Sequence, residues 1–249
     1  MAIGTRDYAR PYLAGGRLPF GVKALLISNS VIFLLQFFAQ GTRLDLLFQH
    51  LALIPADVVQ RFYIWQLVTY LFLHGGIWHI LINMLTLWMF GKDLEQTWGT
   101  RRFLRFYFFC GIGAGVCVVL ANYLFGNKNV GTIGASGAIY GILLVSAILW
   151  PDRIIIFYIF PIKMKYFVMI FAGIAFLGVL DLNSGVSNVA HLSGMAFGYI
   201  FLKSPKMRGV DPLGWLDDSY KAWKLARAKR KFQVYLRKQR PPDKDRWVN

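Results

Sequence analysis

Ser136 sits in Gly134-Ala135-Ser136-Gly137 at the head of an apolar run, and His191 follows Ala190 near the head of a later one. A serine hydroxyl is a weak nucleophile until a base takes its proton. An imidazole on a neighbouring helix suits that task. The pair reads as nucleophile (Ser136) and general base (His191). An oxyanion formed by attack on a carbonyl then needs hydrogen-bond donors. Ser136 opens a helix, so its backbone N–H and the positive helix end face the reacting group. His79 and Asn83 are four apart, on one helix face, and add two side-chain donors. Tyr140 lies one turn below Ser136, placed to stack on the imidazole and fix its orientation. No Asp or Glu falls inside an apolar run, and Asp181 lies only at the outer end of one. The constellation is therefore a dyad, needing no metal ion and no cofactor.

Taken singly, these features are ordinary. Small residues at a helix start are mostly packing, and position 138 is Ala, which breaks the nucleophile-elbow pattern. His50 and His74 read as interface residues. What joins the four polar side chains is their depth in the elements that must carry them.

Those elements are long and apolar. Of 249 residues 56% are hydrophobic and 16% charged, against roughly a quarter charged in soluble domains. Apolar runs lie near 22–40, 76–91, 103–125, 135–150, 154–180 and 188–202. The expected fold is all-α, a polytopic membrane protein with six transmembrane helices. The run 154–180 exceeds one span and holds Pro161, Lys163 and Lys165, so its helix is expected to start near 164. Six spans leave 25 of the 28 Lys and Arg residues on the side of the termini, which sets both ends in the cytoplasm. The net charge of +16 thus belongs to a lipid bilayer partner and not to nucleic acid; half of the basic residues follow residue 202. The pattern suits the inner (plasma) membrane of a bacterium.

Helix rise gives the depths. Counted from the inner ends of their runs, Ser136 stands ~21 Å, His79 ~20 Å, Asn83 ~14 Å and His191 ~18 Å above the inner border. One layer below the outer surface of a ~30 Å core holds all four. Residues 127–134 must dip into the membrane to reach Ser136. Non-helical backbone at that depth requires protein or a water-filled cavity beside it. Gly137 and Gly141, with Gly194 and Gly198, let two helices approach closely.

Outside this core (22–203) lie an N-terminal segment (1–21) and a basic tail (204–249). The outer loop 41–75 is apolar enough to form short interfacial helices. The tail's aromatic and basic residues over 211–240 fit either a helix on an anionic leaflet or a solvated tail. Cys110 and Cys117 share one helix and cannot form a disulfide across ~10 Å. With a polar start up to Pro19, no cleavable signal peptide is expected.

These motifs resemble the rhomboid family of intramembrane serine proteases. The resemblance rests on Gly134-Ala135-Ser136-Gly137, on His79 and Asn83 in His-x-x-x-Asn spacing, and on Ala190-His191 with Gly194 and Gly198. Gly91, Glu95 and Gly99 fit it as well. It covers roughly residues 20–203. It implies a Ser136–His191 dyad, with His79, Asn83 and the Ser136 amide holding the oxyanion and Gly134 supporting it. It also implies a mobile fifth helix, a capping loop near 181–187, and single-span transmembrane proteins as substrates. The outer loop departs from many members in reading Trp65-Gln66 where they carry Trp-Arg.

An inactive rhomboid-like protein that binds transmembrane helices is the competing reading, but it should lack the serine or the histidine. A transporter would need charged groups at the midplane. An aspartyl protease would need two mid-span Asp residues, and a metalloprotease His-Glu-x-x-His; neither occurs.

Overall fold

The computed structural model describes residues 18–157, 159–179 and 185–204, with Leu225, Arg227, Lys229 and Arg230. Residues 1–17, Asp181, most of the expected capping loop and the rest of the basic tail lie outside the described residues.

The described chain is mostly helical. Helix α1 (Phe20–Ala39) follows Pro19 directly, where a fixed φ suits a helix entry. The segment 41–75 folds into α2 (Asp45–Leu51), α3 (Pro55–Gln60), α4 (Gln66–Thr69) and a 3-10 turn (Tyr70–Phe72). A bend of 96° leads from this segment into α5 (Ile77–Thr86), which continues through a π segment (Leu87–Gly91) into α6 (Lys92–Trp98). Then come α7 (Thr100–Leu124), α8 (Ser136–Leu149), strands β1 (Ile154–Phe157) and β2 (Phe160–Lys163), α9 (Met164–Val179) and α10 (Gly185–Lys203). By length and hydropathy α1 and α7 can cross a membrane, and a third span results if the bent pair counts as one. Helices α8 and α9 are apolar but shorter.

The second apolar run ends at Gly91, but the helix goes on through Lys92 to Trp98 and turns only at Gly99, at φ +81°. Lys and Glu are good helix formers, so charge ends the apolar run without ending the helix. Asp93 pairs with Arg153 at 2.5 Å, and Glu95 is buried. The fifth-run helix starts at Met164, as Pro161, Lys163 and Lys165 led one to expect, and within the mostly helical chain 154–163 add a short antiparallel hairpin with Ile154 opposite Lys163. A run of three isoleucines favours strand, and Pro161 blocks a helix. Beside the hairpin, hydrogen bonds from Lys165 and Lys163 hold the exposed Asp152 carboxyl below the usual carboxylate range.

Glu95 ties the first helix to the rest. Its two carboxylate oxygens accept the Gly21 and Val22 N–H groups, each at 2.7 Å, and the Thr100 hydroxyl at 2.5 Å. A negative charge is thereby set at the N-terminus of α1, where the helix leaves its first N–H groups without partners. A side chain on Gly21 would collide with that carboxylate at 3.0 Å. Glu95→Ala is expected to destabilise by about 2–3 kcal/mol, read as a lower thermal midpoint in detergent.

Helix α8 lies at the centre. Most of its residues are buried, from Gly137 to Ala147. At 14 residues it spans only ~21 Å; its first turn is buried, while Ile148 and Leu149 at its other end are exposed. The glycines explain the closeness. A methyl group built on Gly194 would overlap the Gly137 carbonyl, and one on Gly198 would stand 3.1 Å from Gly141 Cα. On the other side, one on Gly141 would stand 2.7 Å from Cys110 Sγ of α7. Cys110 and Cys117 are both free thiols.

Candidate active site

The α8–α10 contact brings two polar side chains together. Ser136 Oγ lies 2.9 Å from His191 Nε2. The Tyr140 ring stacks on the His191 imidazole at 4.0 Å between centroids, with 3° between planes. Tyr140 follows Ser136 by four residues, so one helix face presents both. The pair opens into a cavity of about 270 Å³, lined also by His79, Asn83 and Gly134. None of the described residues lining it is acidic.

His79 is oriented by its own helix start. Its Nδ1 accepts the Gly75 N–H at 3.3 Å, and the His74 ring meets it edge-on at 5.0 Å. A neutral imidazole accepting at Nδ1 carries its proton on Nε2. That nitrogen faces Gly134: a methyl group built there would stand 2.8 Å from it. Gly134 has φ +126°, which a residue with a side chain rarely adopts. Asn83 is buried and donates one amide N–H to the His79 carbonyl at 2.7 Å. An amide carries two N–H groups, so one remains for the pocket.

The stretch before Ser136 has its backbone satisfied without a helix. Leu53 and Thr132 exchange both hydrogen bonds, at 3.0 and 2.9 Å, and Gly134 N–H donates to the Tyr70 carbonyl at 2.9 Å. This non-helical backbone is thus paired with residues of the 41–75 segment.

Two residues that hold this arrangement carried no signal in the sequence. Tyr70 accepts from Gly134 by its carbonyl and donates by its hydroxyl to Gly111 of α7 at 2.6 Å. It looked like one more aromatic in an apolar segment. Gln66 looked like a loss, standing where the resemblance puts Arg. It is fully buried, accepts the Ile54 N–H at 2.9 Å and donates to the His50 carbonyl at 3.1 Å. The loop therefore keeps its fastening through a neutral amide.

A serine–histidine contact thus lies in a cavity between apolar helices of a mostly helical chain. The rhomboid domain model matches residues 61–203, more than half of the chain, and the protein belongs to the rhomboid family. Among curated relatives, RHOMBOID-like protein 1 of Arabidopsis thaliana is 32% identical over 163 residues, which cover 62% of this chain and 39% of that protein. The putative rhomboid protease YdcA of Bacillus subtilis is 30% identical over 139 residues, covering 55% and 64%. Rhomboid protease GluP of the same organism is 39% identical over 79 residues, covering 32% and 14%. The chain spans 14–64% of the length of these three relatives.

Proposed function

We propose that the chain is an intramembrane serine endopeptidase that cleaves single-span transmembrane proteins near the outer end of their helices. The observation that carries the reading is the 2.9 Å contact between Ser136 Oγ and His191 Nε2 inside a cavity. The reading takes six spans from the apolar runs and a bacterial inner membrane as the setting; the basic residues gathered on one side support both termini in the cytoplasm.

In this mechanism neutral His191, protonated on Nδ1, accepts the Ser136 proton at Nε2 as Oγ attacks the scissile carbonyl carbon. The tetrahedral oxyanion is held by the Ser136 backbone N–H at the α8 N-terminus, by His79 Nε2–H and by the free Asn83 N–H. The imidazolium then gives its proton to the leaving amine, and the C–N bond breaks. Water from the cavity, deprotonated by His191, hydrolyses the acyl-enzyme and restores Ser136. Tyr140 stacking holds the imidazole plane through both proton transfers.

His79→Ala removes one donor and is expected to lower kcat by about 10²–10³, with KM little changed, in a steady-state cleavage assay. The function itself is tested by reconstituting wild type and Ser136→Ala in liposomes with a model single-span substrate. Cleavage by wild type alone supports the protease. Equal cleavage by both variants removes Ser136 from the mechanism, and substrate binding without cleavage by wild type leaves a helix-binding protein.

A further inference from the structure

The β1–β2 hairpin has an apolar face that no described element covers. Residues opposite one another in an antiparallel pair share a face. One face holds Ile155 and Phe157 with their partners Ile162 and Phe160. Ile155 is buried, and the Phe157 ring packs on Phe167 and Phe171 of α9 at 5.4 and 6.2 Å. The other face holds Ile154 and Ile156 with Lys163 and Pro161. There Ile154 is 64% and Ile156 72% exposed, and at the turn Ile159 reaches 79%.

A hairpin with one face in water shows polar residues on that face. This one shows isoleucine and proline, with its cation at the open end of the strands. On α9, which the hairpin packs against through Phe157, Met169 and Ile170 are exposed as well. Lys163 and Lys165 flank it, and Lys165 lies 5.3 Å from the Tyr166 ring. Long cationic stems over an apolar surface suit the boundary between acyl chains and headgroups.

We propose that the hairpin is a lipid-inserted anchor, its Ile154–Ile156 face and turn lying in the interfacial zone of the phospholipid leaflet where α8 ends and α9 begins. The anchor fixes the base of α9 through Phe157, and Phe171 of that helix meets the Tyr140 ring at 6.5 Å. The inference rests on α8 and α9 lying in the bilayer and is independent of the chemistry at Ser136.

The test uses the full chain with Cys117→Ala and a fluorophore on Ile156→Cys, in liposomes of phosphatidylcholine and phosphatidylglycerol. A second reporter, Ile159→Cys, guards against local damage, and Met169→Cys on α9 serves as the lipid-facing reference. Lipids with a doxyl group near the glycerol backbone should quench both hairpin reporters as strongly as the reference, with aqueous iodide having little effect. Strong iodide quenching without doxyl quenching would mean that the face lies in water and overturn the anchor. Protection from both quenchers would mean that protein covers the face, residues 205–249 among the candidates, and would overturn it equally.

Discussion

His191→Gln is expected to lower the rate of substrate cleavage by about four orders of magnitude, below detection in most gel assays. Glutamine occupies much of the same space but accepts no proton at neutral pH, so Ser136 keeps its hydroxyl proton and its low reactivity. Folding should change little, because His191 is half-buried and its hydrogen bond to Ser136 lies at the cavity. The check is a liposome cleavage assay run beside thermal unfolding: activity lost with a midpoint near wild type. A variant that cleaves at more than about a hundredth of the wild-type rate would point to another base, since removing a general base costs about 10²–10⁴ or more.

Gly194→Val should also abolish activity, by a different route that unfolding does report. A Cβ at position 194 has no space, because the Gly137 carbonyl occupies it, and backbone cannot rotate away. Helices α8 and α10 must separate. Overpacking of this kind costs about 1–3 kcal/mol, occasionally more, and a shift of ~1 Å between reacting groups can cost 10²-fold in rate. Both the thermal midpoint and the cleavage rate are expected to fall. Gly173→Ala on α9 is the control, since nothing stands within 4 Å of a methyl group built there. It should leave both measurements near wild type.

The contrast between these glycines also marks what could be read beforehand. Small residues four apart on two runs gave the α8–α10 approach, and that approach brings Ser136 to His191. The four-residue spacing of Ser136 and Tyr140 similarly gave the stacked imidazole. Such features are local in sequence, and helical geometry converts them into position. The short start of α8 at Ser136 announced a pocket for the same reason, by counting rise.

Features that depend on distant partners were not legible. Glu95 sits among polar residues after an apolar run, and nothing local says that it reaches 74 positions back to Gly21. The same holds for Tyr70 with Gly111 and for Gln66 with Ile54. The start of α9 at Met164 was legible from Pro161, Lys163 and Lys165, but the strand pairing just before it was not, because short apolar runs do not by themselves separate strand from helix. Nor was the helix beyond Lys92 legible, since charge ends an apolar run without ending a helix; there Asp93 pairs with Arg153. Asn83 was legible as a residue of the layer, but not in its bond to its own helix, which leaves a single N–H for the pocket.

The central claim is that Ser136 is the nucleophile activated by His191. It is tested most directly by treating the reconstituted wild type with a fluorophosphonate and mapping the adduct by mass spectrometry. The account predicts one phosphonylated residue, Ser136, with labelling absent in Ser136→Ala and strongly slowed in His191→Gln. An adduct on another residue, or equal labelling of Ser136→Ala and wild type, would contradict it.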